Sequence, residues 1–324
     1  MLSGGIARAR MSDEIRQAKA LLERGKLVAF PTETVYGLGA NALDVQAVLG
    51  IFEAKGRPQF DPLIVHTDTA EHAFSLACNI PEVARRLAER FWPGPLTLVL
   101  HKRPLVPDLV TSGMPTVALR VPSHPLAQEL LRAFGGPIAA PSANKFGRIS
   151  PTTAEHVRNE FGPELSLVLD GGPCKTGVES TIVSLVGSRP VLLRPGGTAI
   201  ELLQALLPDL EQPASDPEHP LAPGQLPSHY APRTPLLIGG RSIPRDCAGK
   251  TVGFLGVGPA QPTSGYECVE WLSPSGELRE AAAHLFAAMR RLDAAGLDFI
   301  IAELAPAHGL GVAINDRLTR ASQR

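Results

Sequence analysis

The sequence predicts an α+β domain around a large twisted mixed sheet, followed by a proline-rich linker and a small α/β domain of the Rossmann-like type. Three observations support this fold class. The chain has 324 residues, enough for two domains of roughly 100–200 residues each. Strand-like apolar runs outnumber helical patterns in residues 1–207, whereas strands and helices alternate in residues 233–324. Proline-dense sequence separates the two patterns.

The first domain, residues 1–207, is predicted to hold short strands between turns that are rich in glycine and proline. These strands are Lys26–Phe30, Leu63–His66, Leu96–His101, Thr116–Val121, Ile138–Ala140, Leu165–Leu169, Thr181–Val186 and Val191–Arg194. Helices are predicted where apolar residues recur at helical spacing. They are Asp13–Arg24, Pro81–Arg90, Pro125–Ala133, Ala154–Glu160 and Ile200–Leu207. Few helices separate the later strands, which favours a mixed or antiparallel sheet.

The predicted linker, residues 208–232, contains seven prolines in 25 residues. Such a segment is stiff and extended, so we expect it to lie over a domain surface. The small domain, residues 233–324, has a pattern of alternating strands and helices that favours a parallel sheet. Its predicted elements are the strands Pro235–Ile238, Thr251–Val257 and Phe299–Ala302 and the helices Glu277–Ala294 and Val312–Arg320.

The composition excludes several classes of protein. The chain has 31 Lys and Arg against 32 Asp and Glu, which excludes a histone-like protein. No apolar run approaches the roughly 18 residues that cross a bilayer, and the first residues lack the apolar segment of a signal peptide. A cytoplasmic protein without a membrane partner is therefore expected. The four cysteines are scattered, without zinc-ligand spacing, so we expect ordinary thiols and no protein-held metal.

Arginine stands inside two apolar strands, as Arg120 and as Arg194. An unpaired buried cation costs on the order of several kcal/mol, so each arginine requires an anionic partner. An internal salt bridge is the simpler explanation for one such arginine, with Glu33, Glu53 and Glu179 as candidate partners. Two arginines together with the cationic cluster Lys55-Gly56-Arg57-Pro58 favour an anionic ligand.

Three segments rich in hydroxyls and glycine follow or precede predicted strands: Phe30–Gly39, Pro141–Asn144 and Val178–Thr181. Loops at strand ends can hold small polar ligands, although glycine in a turn is weak evidence because turns need it for steric reasons. Ser150 precedes a predicted helix, where it is explained equally well as a helix cap or as part of an anion site. His66 closes a strand, a position where a lone histidine is more often structural.

Familiar nucleotide and hydrolase motifs are absent from the sequence. Gly249-Lys250-Thr251 has the end of a P-loop, but Pro244 stands where the first glycine belongs. No G-x-G-x-x-G follows a strand, and neither G-x-S-x-G nor H-E-x-x-H occurs. A covalent serine mechanism and a zinc hydrolase therefore lose support.

The order of segments resembles the threonylcarbamoyl-AMP synthase family in its longer two-domain form, whose catalytic domain is shared with the YrdC family. The matching segments are Phe30–Gly39, Lys55-Gly56-Arg57-Pro58, Pro62–His66, Pro141–Asn144, Gly177–Thr181, Ser228–Pro232 and Ala313–Leu318. The K-x-R pair (Lys55, Arg57) and the S-x-N pair (Ser142, Asn144) are the most specific. The resemblance covers nearly the whole chain.

The resemblance implies an enzyme that joins L-threonine, bicarbonate and ATP into threonylcarbamoyl-AMP and pyrophosphate, with Mg²⁺ held mainly by the ATP phosphates. Downstream transfer proteins would use the product to modify tRNA next to the anticodon. By resemblance, L-threonine contacts Thr34, His66, Arg120, Ala140 and Ser180. ATP contacts Arg57, Asp61, Thr116, Ser142, Asn144, Ser150, Arg194 and Tyr230. The catalytic residues implied are Lys55, Arg57 and Arg194. We further expect the linker to place Tyr230 over the nucleotide as a lid, anchored by the small domain.

Two other functions fit part of the sequence. A protein that binds double-stranded RNA or the ribosome would use the cationic residues, but residues 1–207 carry 21 Lys and Arg against 19 Asp and Glu. That balance predicts weak or absent direct RNA binding. A carbamoyl-transfer domain of hydrogenase maturation shares the first fold, but such proteins carry additional zinc-finger and acylphosphatase-like segments, which this sequence lacks.

Overall fold

The computed structural model describes residues 12–58, 60–212, 229–244, 247, 249–258 and 264–323. Within these ranges the chain forms a nine-stranded mixed sheet and a four-stranded parallel sheet. This arrangement confirms the predicted fold class. The large sheet is built before residue 195 and the small one after residue 235.

The large sheet and its helices follow the chain as short elements. The strands are β1 (Val28–Phe30), β2 (Gly37–Asn41), β3 (Ile64–His66), β4 (Ala77–Cys78), β5 (Leu96–Lys102), β6 (Thr116–Arg120), β7 (Ile138–Ala139), β8 (Thr181–Ser184) and β9 (Val191–Arg194). The helices are α1 (Asp13–Glu23), α2 (Val45–Lys55), α3 (Ala70–Ser75), α4 (Glu82–Phe91), α5 (Asp108–Thr111), α6 (Pro125–Phe134), α7 (Ala154–Phe161) and α8 (Ile200–Gln204).

The strand order brings distant polar residues to one place. The path through the sheet is β1-β2-β7-β3-β6-β5-β8-β9, with β4 paired to β5. Strands β3 and β6 are parallel and pair His66 with Arg120, while β7 runs antiparallel to β3. Strands β5 and β8 are also parallel. The carboxyl ends of β3 and β6 therefore meet at one edge, where each ends in a polar side chain.

Two of the predicted features of the large sheet differ in the structure. Residues 37–41, predicted as part of a loop, form β2 because Gly39 lets the strand pass Phe30 and Ile138. A Cβ at Gly39 would lie 2.8 Å from the Phe30 ring and 2.9 Å from Ile138. The predicted strand Leu165–Leu169 is shortened to a single parallel bridge between Val168 and Ala29 of β1. The Ala29 N–H donates to the Leu167 carbonyl at 3.0 Å, and the Leu169 N–H donates to the Ala29 carbonyl at 2.9 Å.

Helix α2 was not predicted, although its end signals are present in the sequence. Asp44 caps its first turn by accepting from the backbone N–H groups of Gln46 and Ala47, and Gly56 ends it in the left-handed conformation at φ 60°. The short helix α3 and the strand β4 were likewise not predicted. Because α2 ends at Lys55, the K-x-R pair stands at the helix end beside the sheet edge.

The small sheet has the order β10-β13-β11-β12, with all pairs parallel. Its elements are β10 (Leu236–Ile238), β11 (Val252–Gly256), β12 (Cys268–Trp271), α9 (Leu278–Ala294), β13 (Phe299–Ala302) and α10 (Leu310–Ser322). Strand β12 was not predicted; it is a short edge strand of four residues, none of them fully buried. Apolar residues of α9 and α10 share one core with Val35, Ile149 and Val178 of the first domain.

In the described part of the chain no helix is long and apolar enough to cross a bilayer.

Candidate active site

A cavity lies where the ends of β3, β6, β8 and β9 meet the loop before β2 and the end of the linker. Its volume is about 40 Å³, room for a few water molecules. The lining residues are Thr32, Thr34, Val35, Gly37, Arg57, Ile64, His66, Arg120, Ala140, Pro141, Ser142, Glu179, Ser180, Arg194, His229 and Tyr230. Most of the predicted ligand contacts are thus brought together.

Arg120 is buried at one end of this cavity and is paired with Glu33. Its Nη2 donates to Glu33 Oε1 at 2.7 Å, and its Nε donates to the Gly94 carbonyl at 3.2 Å. The second Glu33 oxygen accepts from the Ser123 backbone N–H at 3.0 Å. The internal salt bridge that the sequence predicted for a buried arginine is therefore present at Arg120. Together with the Gly94 carbonyl, Glu33 fixes the plane of the guanidinium.

His66 and two threonines stand near Arg120. Burial, with a smaller contribution from Arg120, lowers the pKa of His66 to about 3, so the imidazole is neutral at physiological pH. Its Nδ1 has no hydrogen-bond partner among the described residues. The Thr32 and Thr34 hydroxyls lie 2.7 Å apart, and Thr32 also donates to the Val35 carbonyl. This end of the cavity offers neutral polar groups around one cation.

Arg57 is held by the loop that follows α2. Its Nε and Nη2 donate to the carbonyls of Asp61 and Pro62 at 3.2 and 2.9 Å. The Asp61 carboxylate lies 2.9 Å from Arg57 Nη2. Burial raises the pKa of Asp61, against the opposing effect of Arg57 and Lys55. Arg57 thus enters the cavity already oriented by its own loop, and Asp61 acts on it from outside the cavity.

Lys55 joins the end of α2 to the S-x-N segment. Its ammonium donates to the Ser142 carbonyl at 2.5 Å and to the Asn144 carbonyl. Burial, reinforced by Arg57, holds the pKa of Lys55 well below its ordinary value. The Asn144 side chain in turn donates to the carbonyls of Lys145 and Arg148. The K-x-R and S-x-N pairs are therefore one connected unit, in which Lys55 fixes the backbone that presents Ser142.

Arg194 and Ser180 connect the last two strands of the sheet. Arg194 Nε and Nη2 donate to the Ser180 carbonyl at 3.2 and 3.0 Å, and Nη2 also reaches the Ser180 hydroxyl at 3.3 Å. The Ser180 hydroxyl lies 2.7 Å from that of Thr97 in β5. The second strand arginine is therefore held by backbone and hydroxyl oxygens, with its guanidinium in the cavity wall.

Glu179 connects the cavity to the small domain. One of its oxygens accepts from the Ser150 hydroxyl at 2.6 Å, and the other accepts from Arg317 Nε at 2.7 Å. Burial alone raises the pKa of Glu179, but Arg317, Arg194 and the Ser150 hydrogen bond outweigh burial and hold the pKa below its ordinary value. Arg317 also donates to the Pro195 carbonyl at 3.0 Å. A residue of the terminal helix α10 thus reaches the catalytic domain.

The described end of the linker, residues 229–232, forms a strap across the cavity. The Tyr230 ring lies 5.1 Å from the Arg317 guanidinium and stacks on Phe286 of α9 at 5.6 Å. Phe146 contacts the His229 ring edge-on at 6.1 Å. The Tyr230 hydroxyl is buried without a hydrogen-bond partner in the described ranges. The strap is therefore packed by aromatic contacts from both domains.

Some predicted contacts lie outside the cavity lining. They are Lys55, Asp61, Thr116, Asn144 and Ser150. Thr116 lies at the start of β6 and lines a separate small cavity with Pro62 and Thr111. Ser150 reaches the site through Glu179. Each of these ligand contacts stays a prediction.

The sequence interpretation missed several residues of the site. Glu33 and Glu179 appeared only as salt-bridge candidates, whereas Thr97, Ile64 and Arg317 were not singled out as members of the site. For Thr97 a signal was available in the sequence, because it is a polar residue inside an apolar strand. Within the described ranges no three His, Cys, Asp or Glu side chains form a cluster that holds a metal ion.

Comparison with known proteins finds relatives over almost the whole chain. Residues 20–196 match the family model described as telomere recombination, and residues 198–323 match that of the threonylcarbamoyl-AMP synthase C-terminal domain. The threonylcarbamoyl-AMP synthases of Pyrococcus abyssi and Bacillus subtilis are each 44% identical, over 95% of this chain and 94% and 93% of theirs. The crystal structure of P. abyssi Sua5 complexed with L-threonine covers 95% of this chain and 94% of that chain, with 44% identity and a TM-score of 0.88.

The two-domain fold and the identity to named synthases over almost the whole chain define a nucleotidyltransferase. The chain belongs to the threonylcarbamoyl-AMP synthase family, in its long form. The resemblance inferred from the motifs is thereby confirmed.

Proposed function

We propose that the enzyme condenses L-threonine, bicarbonate and ATP into threonylcarbamoyl-AMP and pyrophosphate. The observation that supports this most directly is the composition of the cavity that Arg120 lines. It has a carboxylate-binding arginine, Arg120, beside neutral polar groups, and two further arginines, Arg57 and Arg194, in the same wall. A zwitterionic amino acid needs one cation beside neutral polar groups, and a polyphosphate needs several cations.

We assign the threonine carboxylate to Arg120. Glu33 and Gly94 occupy Nη2 and Nε, while Nη1 has no partner among the residues that the structure describes, so a carboxylate can be added without displacing Glu33. Arginine suits this role because its planar fork matches a carboxylate. Neutral His66 and the Thr34 hydroxyl lie at the same end and would recognise the threonine hydroxyl. An amino acid without that hydroxyl would leave buried polar groups unpaired.

We assign the phosphates of ATP to Arg57, Arg194 and Ser142. The two guanidiniums are held by carbonyls before any ligand binds, so charge is in place where it develops in the transition state. Tyr230 covers this end from the strap. We further propose that the strap opens to admit ATP and then closes over it.

The reaction proposed needs no protein nucleophile. The threonine amine and bicarbonate give a carbamate and water. A carbamate oxygen then attacks the α-phosphorus, the bond to the bridging oxygen breaks, and pyrophosphate leaves with the electron pair. Every reactant is anionic when it reacts, so positioning and charge neutralisation by Arg57 and Arg194 supply the catalysis. Lys55 supports them by fixing the segment that carries Ser142.

Mg²⁺ is proposed to enter with ATP, bound mainly to its phosphates. The donor set fits this arrangement: Asp61 is the carboxylate beside Arg57, and its charge already faces that arginine. Mg²⁺ commonly keeps several waters and binds through substrate phosphates and few protein ligands. When bound it would supply charge neutralisation on the phosphates.

Pyrophosphate release tests the proposal. The full-length protein is incubated with ATP and Mg²⁺, with and without L-threonine and bicarbonate, and L-serine and L-allothreonine serve as controls. We expect pyrophosphate release to require both L-threonine and bicarbonate. Release should be weak when L-serine or L-allothreonine replaces L-threonine. ATP that stays intact under every condition, or that is consumed without threonine, would overturn the proposal.

We also propose that the product serves threonylcarbamoyl transfer to tRNA next to the anticodon by separate proteins in the cytoplasm. An acyl-adenylate of this kind is a short-lived donor, so a transferase must consume it. The test is transfer of label from ¹⁴C-threonine to tRNA when a purified transferase is added. Labelling of tRNA without the transferase would overturn the proposal that separate proteins carry out the transfer.

A further inference from the structure

Thr97 lies in β5 behind the cavity wall, in hydrogen-bond contact with Ser180. The two hydroxyl oxygens are 2.7 Å apart, and neither residue has exposed surface. Ser180 lines the cavity, whereas Thr97 does not. The reaction proposed above gives Thr97 no role, so the function of this buried hydroxyl is open to inference.

The Ser180 hydroxyl has one proton and two lone pairs to distribute. Arg194 Nη2, at 3.3 Å, is a donor only and therefore uses one lone pair. One lone pair and the proton are left for Thr97 and for the cavity. The distance between the hydroxyls does not decide which of the two goes to Thr97.

The hydrogen-bond inventory of Thr97 decides the direction. Within the described ranges, the contact with Ser180 is the only hydrogen bond of the Thr97 side chain. If Thr97 accepted from Ser180, its own proton would be buried without an acceptor, which costs free energy. Buried acceptors with an unused lone pair are less rare than buried donors without a partner. Thr97 therefore donates to Ser180.

We propose that Thr97 is a positioning residue that directs the Ser180 proton into the cavity, where it donates to a carboxyl-type oxygen of the substrate. With both lone pairs used by Thr97 and Arg194, the hydroxyl faces the ligand as a donor only. Ser180 shares the cavity with Arg120 and is bonded to Arg194, so the acceptor is the threonine carboxylate or the carbamate made from it. This inference rests on the proposed function.

Kinetics of Thr97→Val and Thr97→Ser test the role of the hydroxyl. Valine keeps the shape and removes the hydroxyl, whereas serine retains it. We expect Thr97→Val to raise one co-substrate KM about 5- to 10-fold, the effect of one hydrogen bond, with kcat changed less, and Thr97→Ser to behave like the natural protein. A higher threonine KM identifies the carboxylate as acceptor, and a higher bicarbonate KM identifies the carbamate.

The matched control is Thr111→Val, which removes a hydroxyl that is equally buried and bonds only within its own turn, to the carbonyls of Asp108 and Met114. We expect its KM values to be unchanged. Unchanged KM values in Thr97→Val, or equal losses in the valine and serine variants, would overturn the proposal.

Neutron diffraction of the deuterium-exchanged, ligand-free protein tests the bond direction without any assay. We expect the Thr97 deuterium on the line to Ser180 Oγ and the Ser180 deuterium turned to the cavity. A Ser180 deuterium directed at Thr97 would overturn the inference. A natural protein without threonine-dependent pyrophosphate release would instead overturn the proposed function and leave the neutron result standing.

Discussion

Arg120 shows how one side chain can satisfy a structural and a functional requirement together. The sequence left two explanations for an arginine in an apolar strand, a salt bridge or an anionic ligand. The structure contains the salt bridge, to Glu33, and also places the guanidinium in the cavity wall. The two explanations are compatible, because a guanidinium has five donors and Glu33 uses one of them. A preoriented group of this kind binds its ligand at lower entropic cost.

Replacement of Arg120 by lysine tests this preorientation. Lysine keeps the charge but has no planar fork for Glu33, Gly94 and a carboxylate together. In Arg120→Lys we expect kcat/KM for threonine to fall about 10- to 100-fold, mainly through KM, because a charged hydrogen bond is worth about 1.5–3 kcal/mol. Pyrophosphate release measures the change. Arg132→Lys, on the exposed side of α6, is the control, and an unchanged threonine KM in Arg120→Lys would contradict the assignment.

The buried histidines make stability depend on pH. Burial lowers the pKa of His66 and of His229 to about 3, whereas both titrate near 6.5 in an unfolded chain. Between these values the unfolded chain binds more protons than the folded protein. The free energy of unfolding is therefore expected to fall as the pH falls below 6.5, by about 1.4 kcal/mol per pH unit for each histidine.

Urea unfolding at pH 6.5, 5.5 and 4.5 measures this slope, and His229→Gln isolates one histidine. We expect the variant to lose stability with acid less steeply than the natural protein, by about 1.4 kcal/mol per pH unit. Equal slopes in the two proteins would contradict a neutral, buried His229.

Among the elements, the strap has a backbone feature that can be tested directly. Tyr230 has φ 62°, a left-handed conformation that costs a residue other than glycine about 1–2 kcal/mol. Tyr230→Ala and Tyr230→Gly both lose the ring and its contacts with Phe286 and Arg317. We expect the glycine variant to have the higher free energy of unfolding, by about 1 kcal/mol, in chemical denaturation.

The control for this comparison is Ala231, which does not share the positive φ. There Ala231→Gly is expected to lower stability, since glycine gains more freedom in the unfolded chain. Equal stability of Tyr230→Gly and Tyr230→Ala would show that the strap relaxes out of the left-handed conformation.

At this scale the sequence predicted helices α1 and α6 but not strand β2. Helix α1, with its Ser12 cap, and helix α6, with Pro125 at its start, carry local signals and were predicted. Strand β2 was not, because the glycines that suggest a turn are there to let the strand pass Phe30. Leu165–Leu169 has strand composition, but composition does not show how many residues pair with the neighbouring strand, and here one bridge to β1 forms.

Across the whole molecule, the two domains are joined by a buried ion pair. Arg317, in α10, is fully buried and pairs with Glu179 beside the cavity. Removing one partner leaves a buried charge unpaired, which typically costs about 3–5 kcal/mol. We expect Arg317→Met to lose about this much unfolding free energy and the double variant with Glu179→Gln to recover part of it.

Denaturant unfolding of the two single variants, the double variant and the natural protein measures the coupling between the two residues. A coupling energy near zero would contradict the importance of this pair. The threonine KM of the same variants shows whether a loss at the domain junction reaches the site.

The domain junction was also the least predictable part of the molecule. Local patterns identified the K-x-R and S-x-N pairs, but nothing in the spacing indicates that Arg317 meets Glu179 over more than a hundred residues. A contact between residues so far apart in the sequence depends on how two folded domains pack together. Local sequence patterns carry no information about that packing. The resemblance to a family named Ala313–Leu318 as a matching segment, yet it assigned that segment no contact.

If the strap opens and closes as proposed, access to the cavity is an equilibrium of the protein itself. ATP would then bind only to the fraction of molecules in which the strap is open, and the apparent dissociation constant would be the intrinsic one divided by that fraction. A change in Phe146 or Phe286 that destabilises the closed strap by about 1.4 kcal/mol would raise the open fraction about tenfold while that fraction is small. Residues that never touch the nucleotide would thereby set the ATP concentration at which the enzyme becomes saturated.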